Sequence, residues 1–213
     1  MAADPFAGAI ASAAELRERY EAPIERAVRK QLDHVDEMAR RLIALAPMVI
    51  VASHDADGRC DVTPRGGPPG FVRVLDDDHV ALPDATGNNR LDTLGNIVAT
   101  GHAALIFLIP GRTQTLRVHG RACVSADPEL LGALTPVGKP PKTAIVVRAD
   151  EVYAHCPKAF VRSHLWDPAT WPAAADQPSP AEVSLAHLKD AYPALTLGDV
   201  EHQQAEALRT RLA

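Results

Sequence analysis

The sequence predicts a mainly β fold with flanking helices, built on a six-stranded antiparallel barrel. Short runs of β-type residues, separated by turn residues, occupy the middle of the chain. Most of these runs are joined by turns of hairpin length, and the helices between them are too few for a parallel sheet. Amphipathic helical segments lie toward both ends of the chain.

The composition is that of an ordinary globular protein and argues against several classes of partner. The 213 residues are 46% hydrophobic and 23% charged, with a formal net charge of −5. We therefore expect no nucleic-acid partner, and any anion site requires a local cluster of cations. The apolar run at 42–53 is interrupted by Pro47 and is too short to span a bilayer, so we expect no membrane segment.

Cysteine and histidine residues form no recognisable ligand pattern. The spacings of Cys60, Cys123 and Cys156 match no zinc motif, and three cysteines cannot all pair within one chain. We interpret this as a reduced, cytoplasmic setting. The histidines are scattered without ligand spacing, so we expect no metal. Because no Cys–His–acid pattern is evident, Cys156 is interpreted as a buried small hydrophobe rather than a nucleophile.

The first 46 residues are predicted to be helical and to pack on the barrel. Ser12 and Glu15 have the spacing of a capping box. Pro23 suits the first turn of a second helix. Apolar residues recur at steps of three and four along one face of that helix, namely Ile24, Val28, Leu32, Val35, Met38, Leu42 and Leu45.

Residues 47–166 are assigned to the barrel domain, which contains three hairpins and a final strand. The turns of the hairpins are predicted at 55–58, 76–78 and 111–113. The final strand is predicted as one continuous segment over 143–156. Helices at the corners of the barrel are predicted at 89–99, 127–134 and 157–165.

Residues 167–213 are assigned to a linker and C-terminal helices. The segment 167–180 is rich in proline and alanine, which is typical of a linker. Two amphipathic helical stretches follow at 182–195 and 199–212. We expect them to pack either on the barrel or on a second subunit.

The segment ATGNNRLDTLGN, at 85–96, places polar residues where a helix is predicted to begin. One interpretation is that Asn88 or Asn89 only caps the helix. The other is that the free backbone N–H groups and partial positive charge of the helix start bind an anion. Arg90 favours the second interpretation, because its planar guanidinium matches the oxygens of a phosphate.

A second arginine lies at the end of a β-type run, in the segment DVTPRGGPPGF at 61–71. The glycines allow close approach of the backbone, and the prolines stiffen the bend. In a hairpin barrel the end of this strand can lie near the helix that follows the next hairpin. Arg65 and Arg90 are therefore candidates to share one phosphate. The K-P-P-K segment at 139–142 is interpreted as a loop rather than a binding patch.

These motifs, in order, resemble the FMN-binding split-barrel proteins related to pyridoxamine 5′-phosphate oxidase. The resemblance extends over residues 12–167 and includes a T-P-R-G strand end, a G-N-N-R helix start and a late C-P-K-A. It implies a homodimer of six-stranded split barrels with two FMN molecules in the subunit interface. It also implies an FMN-dependent oxidoreductase that acts on a small-molecule substrate.

The resemblance further implies a set of cofactor-binding residues. Residues of the first two motifs would line the FMN and hold its phosphate, a later strand would face the flavin, and the C-P-K-A motif would approach the ring from the other subunit. The set is Thr63, Pro64, Arg65, Asn88, Asn89, Arg90, Thr115, Arg117, Cys156 and Lys158. A solvated position in the first turn of a helix is the alternative interpretation of Lys158.

The substrate is not carried over from the resemblance. Pyridoxamine phosphate oxidases end in a substrate-gripping segment with an aromatic residue, a glycine and arginines, whereas this chain ends in LTLGDVEHQQAEALRTRLA. No acid–base pair is evident, so the catalytic residues are unassigned. Two alternatives to an FMN oxidoreductase stay open: a split barrel that binds a deazaflavin or haem, and a non-catalytic FMN-binding protein.

Overall fold

The computed structural model describes residues 4–85, 87–134, 137 and 139–211. The chain divides into two compact units, Met1–Gln31 and Leu32–Ala213. The first unit contains two short helices, α1 (Ala13–Glu18) and α2 (Glu25–Arg29), and neither contains a buried residue. Ser12 caps α1 as the sequence predicts, because its hydroxyl accepts a hydrogen bond of 3.1 Å from the backbone N–H of Glu15.

The second unit is an antiparallel sheet with flanking helices, which confirms the predicted fold class. Its elements in chain order are α3 (Glu37–Leu45), β1 (Met48–His54), β2 (Cys60–Gly66), β3 (Arg73–Val74), β4 (His79–Pro83), α4 (Asp92–Thr100), β5 (His102–Leu108), β6 (Thr115–Ser125), α5 (Pro128–Ala133), β7 (Ala144–Arg148), β8 (Glu151–His155), α6 (Lys158–Ser163), α7 (Pro180–Leu188) and α8 (Leu197–Arg211). All strand pairings among these elements are antiparallel.

The described residues form eight strands rather than six, in part because the predicted final strand is two strands. The chain turns between β7 and β8, where the backbone N–H of Ala149 donates to the carbonyl of Asp78 at 2.7 Å. The next N–H, of Asp150, donates to the carbonyl of His119 at 2.9 Å. As a result, β7 and β8 pair with different halves of β6.

Strand β6 joins the two halves of the sheet. The strand order is β2-β1-β5-β6-β7-β4-β3, and β8 also pairs with β6. Residues 115–121 of β6 pair with β5 or β8, whereas residues 122–125 pair with β7. At Gly120, between these halves, a Cβ would overlap the carbonyl oxygen of Arg148. Glycine therefore allows the two backbones to approach closely where β6 passes from one half to the other.

The core lies between the inner face of the sheet and the helices α3 and α4. Alternate residues of β1, β5 and β6 are buried, as expected for strands with one face toward the core. The buried strand residues include Val49, Val51, Leu105, Phe107, Leu116 and Val118. Ile43 of α3 and Ile97 of α4 belong to the same cluster, so both helices are fixed against the sheet by apolar contacts.

The single long helix predicted from Pro23 onward is wrong. Leu32 instead forms an antiparallel bridge with Val152 of β8, through backbone hydrogen bonds of 2.9 and 2.8 Å. A new helix, α3, then begins after Asp36, whose carboxylate accepts a 2.8 Å hydrogen bond from a backbone N–H of its first turn. Pairing with β8 and the Asp36 cap thus outweigh the helical period of the apolar residues.

The C-terminal segment contains the two predicted helical stretches, as α7 and α8. A capping box begins α7: Ser179 and Glu182 each accept a hydrogen bond from the backbone N–H of the other. The amide of Gln204 on α8 donates to the Ser184 hydroxyl of α7 at 3.0 Å. No helix in the described part of the chain is long and apolar enough to cross a membrane. The domain boundaries after residues 46 and 166 stay predictions.

Candidate functional site

A cavity of about 320 Å³ lies where three segments of the second unit meet. One wall is strand β2, the second is formed by residues 84, 85 and 87–94 with the start of α4, and the third is formed by residues 139, 140 and 142 before β7. Polar and charged side chains predominate among the residues that line it. The two arginine-bearing bends singled out in the sequence therefore lie at one site.

Strand β2 presents one face to the cavity. Asp61, Thr63 and Arg65 line it and are half-buried, as the period of two in a strand requires. Thr63 pairs with Val51 of β1, which is fully buried, so these residues lie on the inner face of the sheet. Pro64 is exposed on the opposite face and does not line the cavity.

The second wall begins with a tight turn rather than with the helix. Asn88 accepts a 3.0 Å hydrogen bond from the backbone N–H of Arg90. Asn89 and Leu91 both have left-handed backbone conformations, with φ of 60° and 61°. Helix α4 begins only at Asp92 and has no side-chain cap. The helix predicted from residue 89 begins three residues later. The interpretation that Asn88 or Asn89 caps it is wrong, because Asn88 stabilises the preceding turn instead.

This geometry leaves the start of α4 open toward the cavity. Asp92, Thr93 and Leu94, in the first turn, line the cavity together with Asn88 and Asn89. The first N–H groups of a helix have no partner within the helix. Combined with the partial positive charge of the helix start, these donors favour an anion in the cavity.

Arg65 is held in place by an ion pair across the cavity wall. Its Nη1 donates to the Asp84 carboxylate at 2.9 Å, and the two side chains are only 24% and 20% exposed. Among the residues that the structure describes, its buried Nε has no hydrogen-bond partner. A buried donor without an acceptor costs about 1–3 kcal/mol. An anion bound beside Arg65 would supply the acceptor that this nitrogen lacks.

Arg90 lies at the solvent side of the cavity. Its Nε donates to the Asp92 carboxylate at 2.8 Å, and its side chain is 74% exposed. An ion pair this exposed contributes at most about 1 kcal/mol. The guanidinium of Arg90 is therefore available to a ligand at small cost.

A short hydrogen bond ties the two walls together. The hydroxyl of Thr93, in the first turn of α4, donates to the Asp61 carboxylate of β2 at 2.5 Å. Farther along α4, the amide of Asn96 donates to the Ser53 hydroxyl of β1 at 3.1 Å. These contacts fix the helix start relative to the strand, and with it the width of the cavity.

Two lysines complete the cavity, and sequence reasoning missed both. Lys139 and Lys142 line it from the segment before β7, although the sequence predicts a loop without a binding role there. The antiparallel pairing of β4 with β7 continues past the strand ends, where the N–H of Asp84 donates to the carbonyl of Thr143 at 2.9 Å. The only sequence signal was a pair of cations directly before a strand.

The two cofactor-binding residues predicted on β6 lie outside the cavity. Arg117 is on the outer face of the sheet, opposite Ile106 of β5, and does not line the cavity. Its Nη1 lies 3.3 Å from the hydroxyl of Tyr153, and its buried Nε has no partner within the described part of the chain. Thr115, two residues before it, is buried. Their predicted contact with a flavin stays a prediction.

The C-P-K-A residues also lie outside the cavity. Cys156 is exposed, so its interpretation as a buried hydrophobe is wrong. The reason is that it follows β8, beyond the last paired residue of that strand. Lys158 is exposed at the first residue of α6. Their predicted approach to a cofactor of the other subunit stays a prediction.

The charges of the cavity favour an anionic ligand. Arg65, Arg90, Lys139 and Lys142 face three carboxylates, so the lining has one positive charge in excess. This excess occurs in a chain whose formal net charge is −5. The cavity is thus a local cluster of cations of the kind that an acidic protein requires for an anion site.

The antiparallel sheet thus carries a polar cavity between strand β2 and the start of helix α4. Residues 35–156 match the family model of pyridoxamine 5′-phosphate oxidase. This match extends over more than half of the chain, and the protein belongs to that family. Among curated proteins, none matches this chain.

Solved structures similar to this chain come from several bacteria. A putative pyridoxamine 5′-phosphate oxidase from Lactobacillus delbrueckii is 23% identical over 58% of this chain and 98% of that chain, with a TM-score of 0.44. HupZ of Group A Streptococcus is 19% identical over 56% of this chain and 93% of that chain, with a TM-score of 0.45. An FMN-binding protein from Syntrophomonas wolfei is 17% identical over 56% and 85% of the two chains, with a TM-score of 0.40.

Proposed function

We propose that the protein is an FMN-binding, FMN-dependent oxidoreductase that acts as a homodimer on a small-molecule substrate. The observation that carries this proposal is the convergence of Arg65 and Arg90, from separate bends, on one cavity of an acidic chain. Membership of the pyridoxamine 5′-phosphate oxidase family supports it. A cytoplasmic location belongs to the same proposal, which the free cysteines Cys60, Cys123 and Cys156 support.

The residues of the cavity fit the phosphate of FMN. A phosphate monoester carries a charge of about −1.5 to −2 at neutral pH and has strong acceptor oxygens. Arg65, Arg90, Asn88, Asn89 and the first N–H groups of α4 would hold it. Each charge-assisted hydrogen bond contributes about 1.5–3 kcal/mol, so two or three of them supply much of the phosphate's share of binding. When bound, the flavin supplies hydride and electron transfer.

The outer face of the sheet supports the proposed dimer. Apolar residues of β1, β2 and β5 form one contiguous surface because they pair directly across the strands, namely Met48, Ile50, Ala52, Val62, Pro64, Ala104, Ile106 and Leu108. Val62 is 64% exposed and Met48 is 41% exposed. A contiguous apolar patch on a soluble protein marks an interaction surface. A second copy of the chain would cover it and bring its own Cys156 and Lys158 to the cofactor.

Arg117 lies at the border of this apolar face. It is directly opposite Ile106, and no described residue accepts a hydrogen bond from its buried Nε. A flavin ring in the subunit interface would rest on apolar side chains, and its polar edge would need donors from the protein. Thr115 and Arg117 are therefore proposed to face the flavin.

Identification of the ligand that copurifies with the protein tests the proposal. We expect a yellow protein with flavin absorption, and mass spectrometry of the ligand released by denaturation should give FMN. If a deazaflavin or haem is released instead, that molecule, and not FMN, is the cofactor of the protein. A colourless protein that takes up no added FMN contradicts the proposal.

The oxidoreductase activity is tested separately, by stopped-flow reduction of the bound FMN with NADH or NADPH. If NADH or NADPH reduces the bound FMN and an electron acceptor then reoxidises it, the protein acts as an oxidoreductase. If no donor reduces the flavin, the protein instead stores or senses FMN.

A further inference from the structure

The carboxylates of the cavity compensate its two arginines but not its two lysines. Arg65 pairs with Asp84 at 2.9 Å, and Arg90 pairs with Asp92 at 2.8 Å. The remaining carboxylate, of Asp61, accepts a hydrogen bond from a threonine. In the described part of the chain, neither of the two lysines in the lining has a carboxylate within 4.0 Å.

The difference matters because a compensated cation attracts an anion weakly. An arginine and a carboxylate in contact have almost no net charge, so their fields largely cancel beyond the immediate contact. A lysine without a partner keeps its full positive charge, and its attraction falls only with distance and salt screening. The arginines therefore provide directed hydrogen bonds, whereas the net attraction comes from the lysines.

Strand pairing fixes the backbone beside Lys142. Ala144 of β7 pairs with Pro83 of β4, and the ladder continues through the hydrogen bond between Asp84 and Thr143. Lys142 immediately precedes this anchored residue, and it lines the same cavity as Asp84. The loop before β7 thus forms a third, cationic wall beside the wall that carries Asp84.

We propose that Lys142, together with Lys139, forms the net positive wall of the cavity and strengthens its affinity for the phosphate group of the ligand. The proposal rests on the proposed function in one respect, namely that the phosphate belongs to FMN. It assigns a ligand-binding role to the K-P-P-K segment at 139–142.

The test compares FMN with riboflavin, which has the same ring system but no phosphate. Apoprotein of wild type, Lys142→Gln and the double variant Lys139→Gln/Lys142→Gln is titrated with each flavin, and the dissociation constants follow from fluorescence quenching. We expect the double variant to bind FMN at least about tenfold more weakly and to bind riboflavin as wild type does. Between about 0.05 M and 0.5 M salt, its FMN affinity should also fall less than that of wild type.

The double variant Arg41→Gln/Arg148→Gln is the matched control, because it also removes two positive charges. Both arginines are exposed and neither lines the cavity. If the two double variants have the same FMN affinity and the same salt dependence, the role of the lysines is refuted.

Failure of the proposed function is distinguishable from failure of this inference. If wild type binds neither flavin, FMN is not the ligand and the proposed function fails. The melting temperature in inorganic phosphate then decides the role of the lysines, because a ligand that binds the folded state raises it. A rise in wild type that the double variant loses supports the cationic wall, and equal melting behaviour in both proteins overturns it.

Discussion

Arg65 and Arg90 line the same cavity, but the fold holds them differently. Arg65 is largely buried and its guanidinium is fixed by Asp84, whereas Arg90 is 74% exposed beside Asp92. A side chain that is already ordered loses less entropy when it binds a ligand. Arg65 is thus a pre-organised donor, while Arg90 closes the cavity from the solvent side.

Replacement of Arg90 should therefore affect binding much more than folding. We expect Arg90→Ala to weaken FMN binding at least tenfold, a loss of about 1.4 kcal/mol. The free energy of unfolding should change by less than about 1 kcal/mol, because the ion pair with Asp92 is exposed. Titration of the apoprotein and denaturant unfolding give the two quantities, with Arg148→Ala as the control. Unchanged FMN affinity would identify Arg90 as an ordinary surface residue.

At the level of single residues, the sequence predicted the convergence of two arginine bends but not the whole cavity. Arg65 and Arg90 were found because each lies in a recognisable local motif. Lys142 was missed because its position depends on the pairing of β4 with β7, between residues far apart in the chain. No local pattern carries that information.

Strand β6 requires a glycine at position 120, where a side chain has no room. It passes close to the chain between β7 and β8, and a Cβ at Gly120 would overlap the backbone of Arg148. We expect Gly120→Ala to lower the free energy of unfolding by about 3 kcal/mol or more, because backbone would have to move. Denaturant unfolding measures this change.

Gly95 provides the matched control within α4. A Cβ there meets nothing within 4 Å, so Gly95→Ala should raise the free energy of unfolding by about 0.5–1 kcal/mol through the unfolded-chain entropy. If both alanine variants unfold at the same denaturant concentration, the close approach of the two backbones at Gly120 does not restrict the fold.

At the level of elements, the hairpins were predictable and the long-range pairings were not. Turn residues such as those at 55–58 and 76–78 correctly placed the first two hairpins. The helix predicted from Pro23 failed because Leu32 pairs with a strand that lies more than a hundred residues later. The final strand was predicted as one piece for a similar reason, since its turn depends on hydrogen bonds to Asp78 and His119.

For the whole molecule, the apolar outer face of the sheet predicts that self-association and cofactor binding are coupled. We expect Val62→Asp to convert the proposed dimer into a monomer, because it places a charge on the interface, and to weaken FMN binding with it. Sedimentation measures the mass, and flavin titration measures the affinity. Val98→Asp is the control, since Val98 is 75% exposed on α4 and lies outside this face.

The two variants separate an interface from an ordinary surface. If Val62→Asp stays dimeric, as Val98→Asp is expected to, the outer face of the sheet does not form the dimer interface. A monomeric wild type that binds FMN would show that one subunit holds the cofactor without a partner.

The protein as a whole is acidic, and its proposed function depends on one cavity whose lining carries a net positive charge. The most direct measurement is the ratio of the affinities of the wild-type apoprotein for FMN and riboflavin. Two charge-assisted hydrogen bonds contribute about 3 kcal/mol or more, so FMN should bind at least about a hundredfold more tightly than riboflavin. Equal affinities for the two flavins would contradict a phosphate in the cavity.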